Sequence, residues 1–210
     1  MNQITEEIEQ RSEEWYKIRL GKVTASRIAD IMAKTKTGPA ASRKNYMAEL
    51  ICERLTGVKA ESYKSAEMQR GIDLEPEARQ AYEIETFQAV IECGFIPAPD
   101  IEMSGASPDG LVSYDGLIEI KCPNTAIHID TLITKEIDKK YIYQMQWQLF
   151  CTDRAWCDYV SYDNRLPENL RLFIKRVYRD DKLIEEIKAE VIKFLEELDN
   201  TIKLLLIGVE

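Results

Sequence analysis

The stretch that most constrains the fold is SPDGLVSYDGLIEIKCP, from Ser107 to Pro123. In Leu117-Ile118-Glu119-Ile120-Lys121 (after a Tyr-Asp-Gly turn), β-branched residues alternate with others, which predicts a strand, with a shorter strand from Gly110 to Tyr114 before it. Residues i and i+2 of a strand share a face. Glu119 and Lys121 should therefore point one way, while Ile118 and Ile120 point into a core. The hairpin can fold Asp109 back beside Glu119. Two carboxylates at one spot repel each other unless a cation lies between them. Mg²⁺ or Mn²⁺ would suit such a place, being hard cations that take oxygen ligands. A plain half-exposed hairpin also alternates charged and apolar residues, so the pattern by itself leaves both readings open.

The remaining chain favours an α/β architecture, a central mixed sheet flanked by helices. A helix is expected from Ser12, with Trp15 and Ile18 on its buried side. Thr24 is a plausible N-cap for a short helix through Ala33. Lys34 to Ala41 reads as a mobile loop. Ser42 opens an amphipathic helix (Tyr46, Leu50, Ile51, Leu55) that stops at Gly57. A longer helical stretch runs from Ala66 to Thr86, and Pro76 should kink or divide it. Strands dominate from Ala89 to Pro123. Helices follow near Ala126–Lys135 and Lys139–Cys151, then strands at Ala155–Tyr162 and Leu170–Tyr178. An amphipathic helix from Asp181 closes the chain, with the stripe Ile184, Ile187, Val191, Phe194, Leu198, Ile202 and Leu205 at helical period. At 210 residues this suits one domain, residues 1–210.

Composition excludes several classes. The five cysteines contain no C-x-x-C, which argues against a zinc or iron–sulfur site and for reduced thiols in a cytoplasm. A lone histidine, His128, leaves no histidine-rich metal site. No apolar run reaches the roughly 18–20 residues of a membrane helix, and the acidic start MNQITEEIEQ is unlike a secretory leader. The net charge of −9 would disfavour a nucleic-acid partner, but its distribution is uneven. Between Lys17 and Tyr46 stand eight bases and one acid, a segment of +7 that leaves −16 elsewhere. A protein that touches phosphate on one side only would look like this, and so would one with a solvated basic loop.

Four blocks in order carry a family resemblance. They are Arg11-Ser-Glu-Glu-Trp15 through Arg19 to Ser26; Gly71 through Glu75 to Arg79; Ser107-Pro-Asp109-Gly to Glu119-Ile120-Lys121; and Tyr141-Ile-Tyr-Gln144-Met-Gln146-Trp. Together, over roughly Arg11 to Asp163, they resemble the phage lambda exonuclease type of alkaline nuclease, the YqaJ-like viral recombinase group of the PD-(D/E)XK superfamily. The resemblance implies a restriction-endonuclease-like core. It implies that Asp109, Glu119 and the Ile120 carbonyl hold a metal, that Glu75 reaches a second metal position, and that Gln144 stands near the attacking water. On a helix Gln144 and Gln148 share a face and Gln146 does not, so Gln146 is the weaker candidate. Lys121 would either help deprotonate that water or stabilise the charge on the phosphate.

The resemblance further implies that Arg19 and Ser26 hold a terminal 5′-phosphate, with Ser107 and Trp15 beside them and Lys36 as a basic loop residue. A guanidinium fork and a hydroxyl suit phosphate oxygens. Ile127 departs from the pattern, since an arginine stands there in the family's best-known member. The activity implied is 5′→3′ digestion of one strand of linear duplex DNA, with two Mg²⁺ per active site and Mn²⁺ able to substitute. The implied partners are a single-strand annealing recombinase and further copies of the chain in a homotrimeric ring, in a host cytoplasm. A restriction-type endonuclease, or a catalytically silent DNA-binding subunit, would share part of the same residue set.

Overall fold

The structure is a computed structural model that describes residues 8–36, 38–60 and 65–208. The chain runs α1 (Glu13–Arg19), β1 (Val23–Thr24), a 3₁₀ turn (Ala25–Arg27), α2 (Ile28–Met32), a small hairpin of β2 (Lys34–Thr35) and β3 (Gly38–Pro39), α3 (Ala41–Thr56) and α4 (Ala66–Thr86). Next come β4 (Val90–Ile91), β5 (Ile96–Ala98), β6 (Ile101–Ala106), β7 (Gly110–Val112) and β8 (Gly116–Lys121). The last third holds α5 (Thr125–Thr134), α6 (Lys139–Thr152), β9 (Trp156–Tyr162), β10 (Leu172–Tyr178) and α7 (Asp181–Ile207).

Five strands form the main sheet in the order β10-β9-β8-β7-β4, and a smaller sheet has the order β1-β6-β5. β7 and β8 are an antiparallel hairpin, whereas β8 and β9 run parallel. Parallel neighbours cannot be joined by a tight turn. The chain therefore crosses over through α5 and α6 between them. This crossover lays α6 on one face of the sheet, where Met145, Trp147 and Leu149 join Leu117, Cys157 and Tyr159 in one apolar cluster. On the opposite face Ala78 and Tyr82 of α4 pack with Ile118, Ile120, Trp156 and Val160. Strand alternation thus sends Ile118 and Ile120 to α4, and Glu119 with Lys121 to α6. The central strand is covered on both sides, so the half-exposed hairpin reading fails: Glu119 is 0% exposed.

Gly116 marks the tightest point of this sandwich. A Cβ there would lie 2.1 Å from the Trp156 ring. Trp156 carries the Arg176 guanidinium at 3.5 Å, and Arg176 grips Asp158 at 2.8 and 2.9 Å. Asp158 also accepts from the Tyr82 hydroxyl at 2.8 Å, which ties α4 to the sheet.

Several elements differ from expectation. Pro76 lies inside a continuous α4. Proline removes one backbone hydrogen bond from a helix, but the burial of Ala78 and Tyr82 against the sheet holds the next turn in place. Thr24 precedes a 3₁₀ turn and makes no side-chain cap bond. The helix expected from Ser42 begins at Ala41, also without a side-chain cap. The segment read as a loop after Lys34 forms the β2–β3 hairpin.

In α7, Ile184, Ile187, Val191, Phe194 and Leu198 are buried, each contributing about 1.5–3 kcal/mol. The stripe then runs out, and Leu205 is exposed. The same helix takes up part of the basic segment, since Lys34 pairs with Glu190 and Arg43 with Glu197. Arg27 is held by Asp30 and Glu49. Three of the eight bases read as a phosphate-facing stretch are thus bound to acids of the chain itself.

Candidate active site

The β7–β8 ladder pairs Gly110 with Ile118, so its next hydrogen-bonding rung would pair Pro108 with Ile120. That rung lacks the bond to the Ile120 carbonyl, because proline has no N–H to give. Instead the Asp109 carboxylate accepts from the Ile120 N–H at 2.6 Å. The Pro108 carbonyl accepts from the Gln10 side chain at 2.7 Å. Pro108 therefore offers no donor to the Ile120 carbonyl, which lies on the same strand edge as Asp109. Pro108 thus leaves the Ile120 carbonyl without a ladder donor, and the Ile120 N–H holds the Asp109 carboxylate beside it where β7 ends.

Glu119 completes the cluster from the face of β8 that meets α6. Its Oε1 accepts from Gln144 Nε2 at 2.6 Å and from the Lys121 ammonium. Its Oε2 accepts from Gln148 Nε2 at 2.6 Å. Lys121 lies over the Tyr141 ring, 5.2 Å from its centroid. Burial raises the Asp109 carboxyl well above the usual carboxylate range, helped by the negative charges of Glu119 and Glu75 and only partly opposed by Lys121. For Lys121, burial works against the charge, but Glu119 and Asp109 outweigh it and raise its pKa.

The excess of negative charge around Asp109 is what a cation would relieve. Asp109, Glu119 and the Ile120 carbonyl form an all-oxygen donor set, and Mg²⁺ commonly binds through one or two carboxylates while keeping several waters. The residues present therefore fit a hard divalent cation. Glu75 stands further out. It is paired with Arg11 and with Arg79 at 3.3 Å. Among the described residues no three carboxylates, histidines or cysteines converge on one point. Glu75 would have to release Arg11 to join Asp109 and Glu119.

A second group of expected residues lies in a neighbouring cleft of about 390 Å³, lined among others by Arg11, Trp15, Arg19, Ser26 and Lys59. Ser12 caps α1 by accepting from the Trp15 N–H, which sets the helix so that Trp15 and Arg19 project together. Ser107 Oγ accepts from Arg19 at 3.0 Å and from Trp15 Nε1 at 3.1 Å, and the Arg19 guanidinium stacks on the Trp15 ring at 3.8 Å. Ser107 is two residues from Asp109, and Arg11 of the cleft lining pairs with Glu75, so the cleft and the carboxylate cluster are linked through these residues. Burial pulls the Arg19 pKa down to about 10, which leaves it charged at neutral pH. Ser26 Oγ lies 3.5 Å from Thr24 Oγ1. Lys36, in the turn between β2 and β3, does not line this cleft. Ile127 is exposed in the first turn of α5.

Sequence reasoning missed Gln10, gave no role to Arg11 and Tyr141 of the family blocks, and placed Gln148 on the face of Gln144 without giving it one. Gln148 had a legible signal: it is one helical turn from Gln144 on the same face. Gln146, by contrast, bonds the Tyr178 carbonyl at 2.8 Å and accepts from the Asp180 N–H at 2.8 Å, joining α6 to the start of α7.

A mixed sheet with two acids and a lysine at the edge of its central strand is the PD-(D/E)XK arrangement, a nuclease class. Residues 14–155 match the YqaJ-like viral recombinase domain, and the chain belongs to that family. It is similar to an alkaline exonuclease from Laribacter hongkongensis, LHK-Exo, at 56% identity and a TM-score of 0.89, over 94% of this chain and 98% of that one. LHK-Exo has also been solved in complex with dAMP, with the same identity of 56%. A phage-related exonuclease from Haemophilus somnus 129PT shares the fold at 20% identity and a TM-score of 0.72, over 88% of this chain and 96% of that one. No curated protein matches the chain. No helix among the described residues is long and apolar enough to cross a membrane.

Proposed function

We propose that the chain is a cation-dependent exonuclease that digests one strand of linear double-stranded DNA in the 5′→3′ direction from a phosphorylated end. The observation that carries this reading is the link through Ser107, which accepts from Arg19 and Trp15 and lies two residues from Asp109 in the carboxylate cluster. A 5′-terminal phosphate gripped by Arg19 and Ser26 would bring the adjoining phosphodiester beside Asp109 and Glu119. The dAMP held by LHK-Exo is a nucleoside monophosphate, the product such stepwise cleavage would release.

When bound, Mg²⁺ (or Mn²⁺ in its place) would supply Lewis acidity and lower the pKa of water. Asp109, Glu119 and the Ile120 carbonyl would hold it, and Glu75, once freed from Arg11, would reach a second ion. Two ions per active site are part of the proposal. Gln144 would orient the water through the N–H it does not give to Glu119. In the cation-free protein Glu119 and Asp109 favour the charged form of Lys121. As an ammonium it would donate to charge accumulating on the phosphate; with an ion drawing on those carboxylates it would be freer to help deprotonate the water. A homotrimer enclosing the DNA, a single-strand annealing recombinase as co-worker and a cytoplasmic location complete the proposal, all resting on the family.

The test is nucleotide release from linear duplex DNA, with 5′-phosphate or 5′-hydroxyl ends, in Mg²⁺ and in EDTA. Release is expected only with Mg²⁺ and faster from phosphorylated ends. Undiminished release in EDTA would sink the cation requirement. Indifference to the 5′-phosphate would sink the role of Arg19 and Ser26.

A further inference from the structure

The geometry points to Gln148 as a positioning residue that aims the cation-binding oxygen of Glu119. This inference rests on the cation-dependent reading of the same site. Glu119 Oε1 already takes bonds from Gln144 and Lys121, which occupy both of its lone pairs. Oε2 takes only the 2.6 Å bond from Gln148, so it is the oxygen with a lone pair left for an ion. Gln148 thus holds the very atom that would coordinate.

The other end of the Gln148 amide carries the argument further. Gln148 is 0% exposed, and its Oε1 has no hydrogen-bond partner among the described residues. A buried acceptor without a partner is unfavourable and calls for a reason. Gln146, two residues earlier, satisfies both ends of its amide on backbone groups, as a structural glutamine should. Gln148 spends its one bond on Glu119 and leaves the rest unmet. Side chains that hydrogen-bond metal-binding groups orient them, and their loss typically weakens metal affinity by 10–100-fold.

The experiment measures Mn²⁺ binding by isothermal titration in wild type, Gln148→Met and Gln146→Met. The unbranched methionine fills the same space without the N–H. Gln148→Met is expected to weaken Mn²⁺ binding by about 10–100-fold and to shrink the rise in melting temperature that Mn²⁺ confers. Gln146→Met should lower the melting temperature in EDTA and leave Mn²⁺ affinity unchanged. Equal Mn²⁺ affinity in Gln148→Met and wild type overturns the inference. If Gln148→Met does not fold, Gln148→Asn, whose amide is withdrawn by one methylene, carries the same comparison. A wild type that binds no Mn²⁺ would overturn the cation reading together with the inference, and is told apart because all variants then behave alike.

Discussion

Two aspartates at one rim of the sheet are buried in opposite ways. Asp163 follows β9, whose Ser161 lies level with Lys121 in the parallel ladder. Its carboxylate is fully covered and accepts from Arg165 at 2.8 and 2.9 Å, Arg70 at 2.8 Å and Thr125 at 2.6 Å. Burial pushes its pKa up, but the bonds from Arg165 and Thr125 prevail and hold it far below the usual carboxylate range. Asp109 is only half-buried, yet that burial, with the negative charges of Glu119 and Glu75, raises its pKa. The protein neutralises one aspartate with its own arginines and leaves the other in want of positive charge. The first arrangement stabilises the fold; the second is the one that the proposed cation would relieve.

The largest effect that could break this contrast is in activity. Asp109→Asn should reduce nucleotide release from duplex DNA by at least about 1,000-fold, since one carboxylate of the cation site is lost. Its melting temperature in EDTA should hold or rise, because like-charge repulsion is relieved. A large fall in melting temperature would show that Asp109 is structural after all. Asp163→Ala should do the converse. Removing one partner of a buried ion pair costs about 3–5 kcal/mol, here reduced to about 2–3 because Arg165 is half-exposed. Urea unfolding measures this, and the folded fraction should keep its activity.

The same contrast has a pH signature. Asp163 has a depressed folded pKa, so its contribution is present above the unfolded value of about 3.9 and is lost as pH falls toward the folded one. Wild type should therefore lose stability below about pH 4 more steeply than Asp163→Ala. Asp109 acts with opposite sign in cation-free protein: its contribution is present at low pH and lost as pH rises through the raised pKa. Melting curves across pH in EDTA, for wild type and each variant, would separate the two.

Smaller effects lie at the edges of the cluster. Arg19→Ala should reduce the preference for phosphorylated over hydroxyl ends by about 10-fold, the worth of a charge-assisted hydrogen bond of roughly 1.5 kcal/mol. Rates on the two substrates, taken side by side, decide it. Pro108→Ala should have the mildest outcome. It restores an N–H opposite the Ile120 carbonyl, and Mn²⁺ affinity should fall about 3-fold as that oxygen gains a competing donor, a cost near the roughly 0.5–1.5 kcal/mol of one net hydrogen bond. An unchanged affinity would show that the carbonyl takes no part.

Much of this was legible in the chain because it depends on local periodicity. Strand alternation placed Glu119 and Lys121 on one face, and helical period picked out the buried stripe of α7 as far as Leu198. What stayed hidden depends on partners far apart in sequence. Nothing near Lys34 or Arg43 announces that Glu190 and Glu197 will take up their charge, so the basic segment looked freer than it is. The alternating hairpin looked half-exposed because its second cover, α4, comes from residues about forty positions earlier. Pro76 looked like a break because the tertiary contacts that carry α4 past it are invisible locally. Among the glutamines of α6, spacing separated Gln146 from Gln144 and Gln148. It could not show that Gln148 leaves half of its amide unmet.

The parallel pairing of β8 with β9 has a consequence in time. A hairpin such as β7–β8 closes from neighbouring residues, whereas the β8–β9 ladder must wait for the whole α5–α6 crossover, and contacts of long sequence separation form slowly. During synthesis the two acids therefore emerge before the helix that supplies Gln144 and Gln148 exists. On the proposed function, a half-folded chain would carry the acids without the amides that orient them, and the site would be completed only once the crossover docks between β8 and β9.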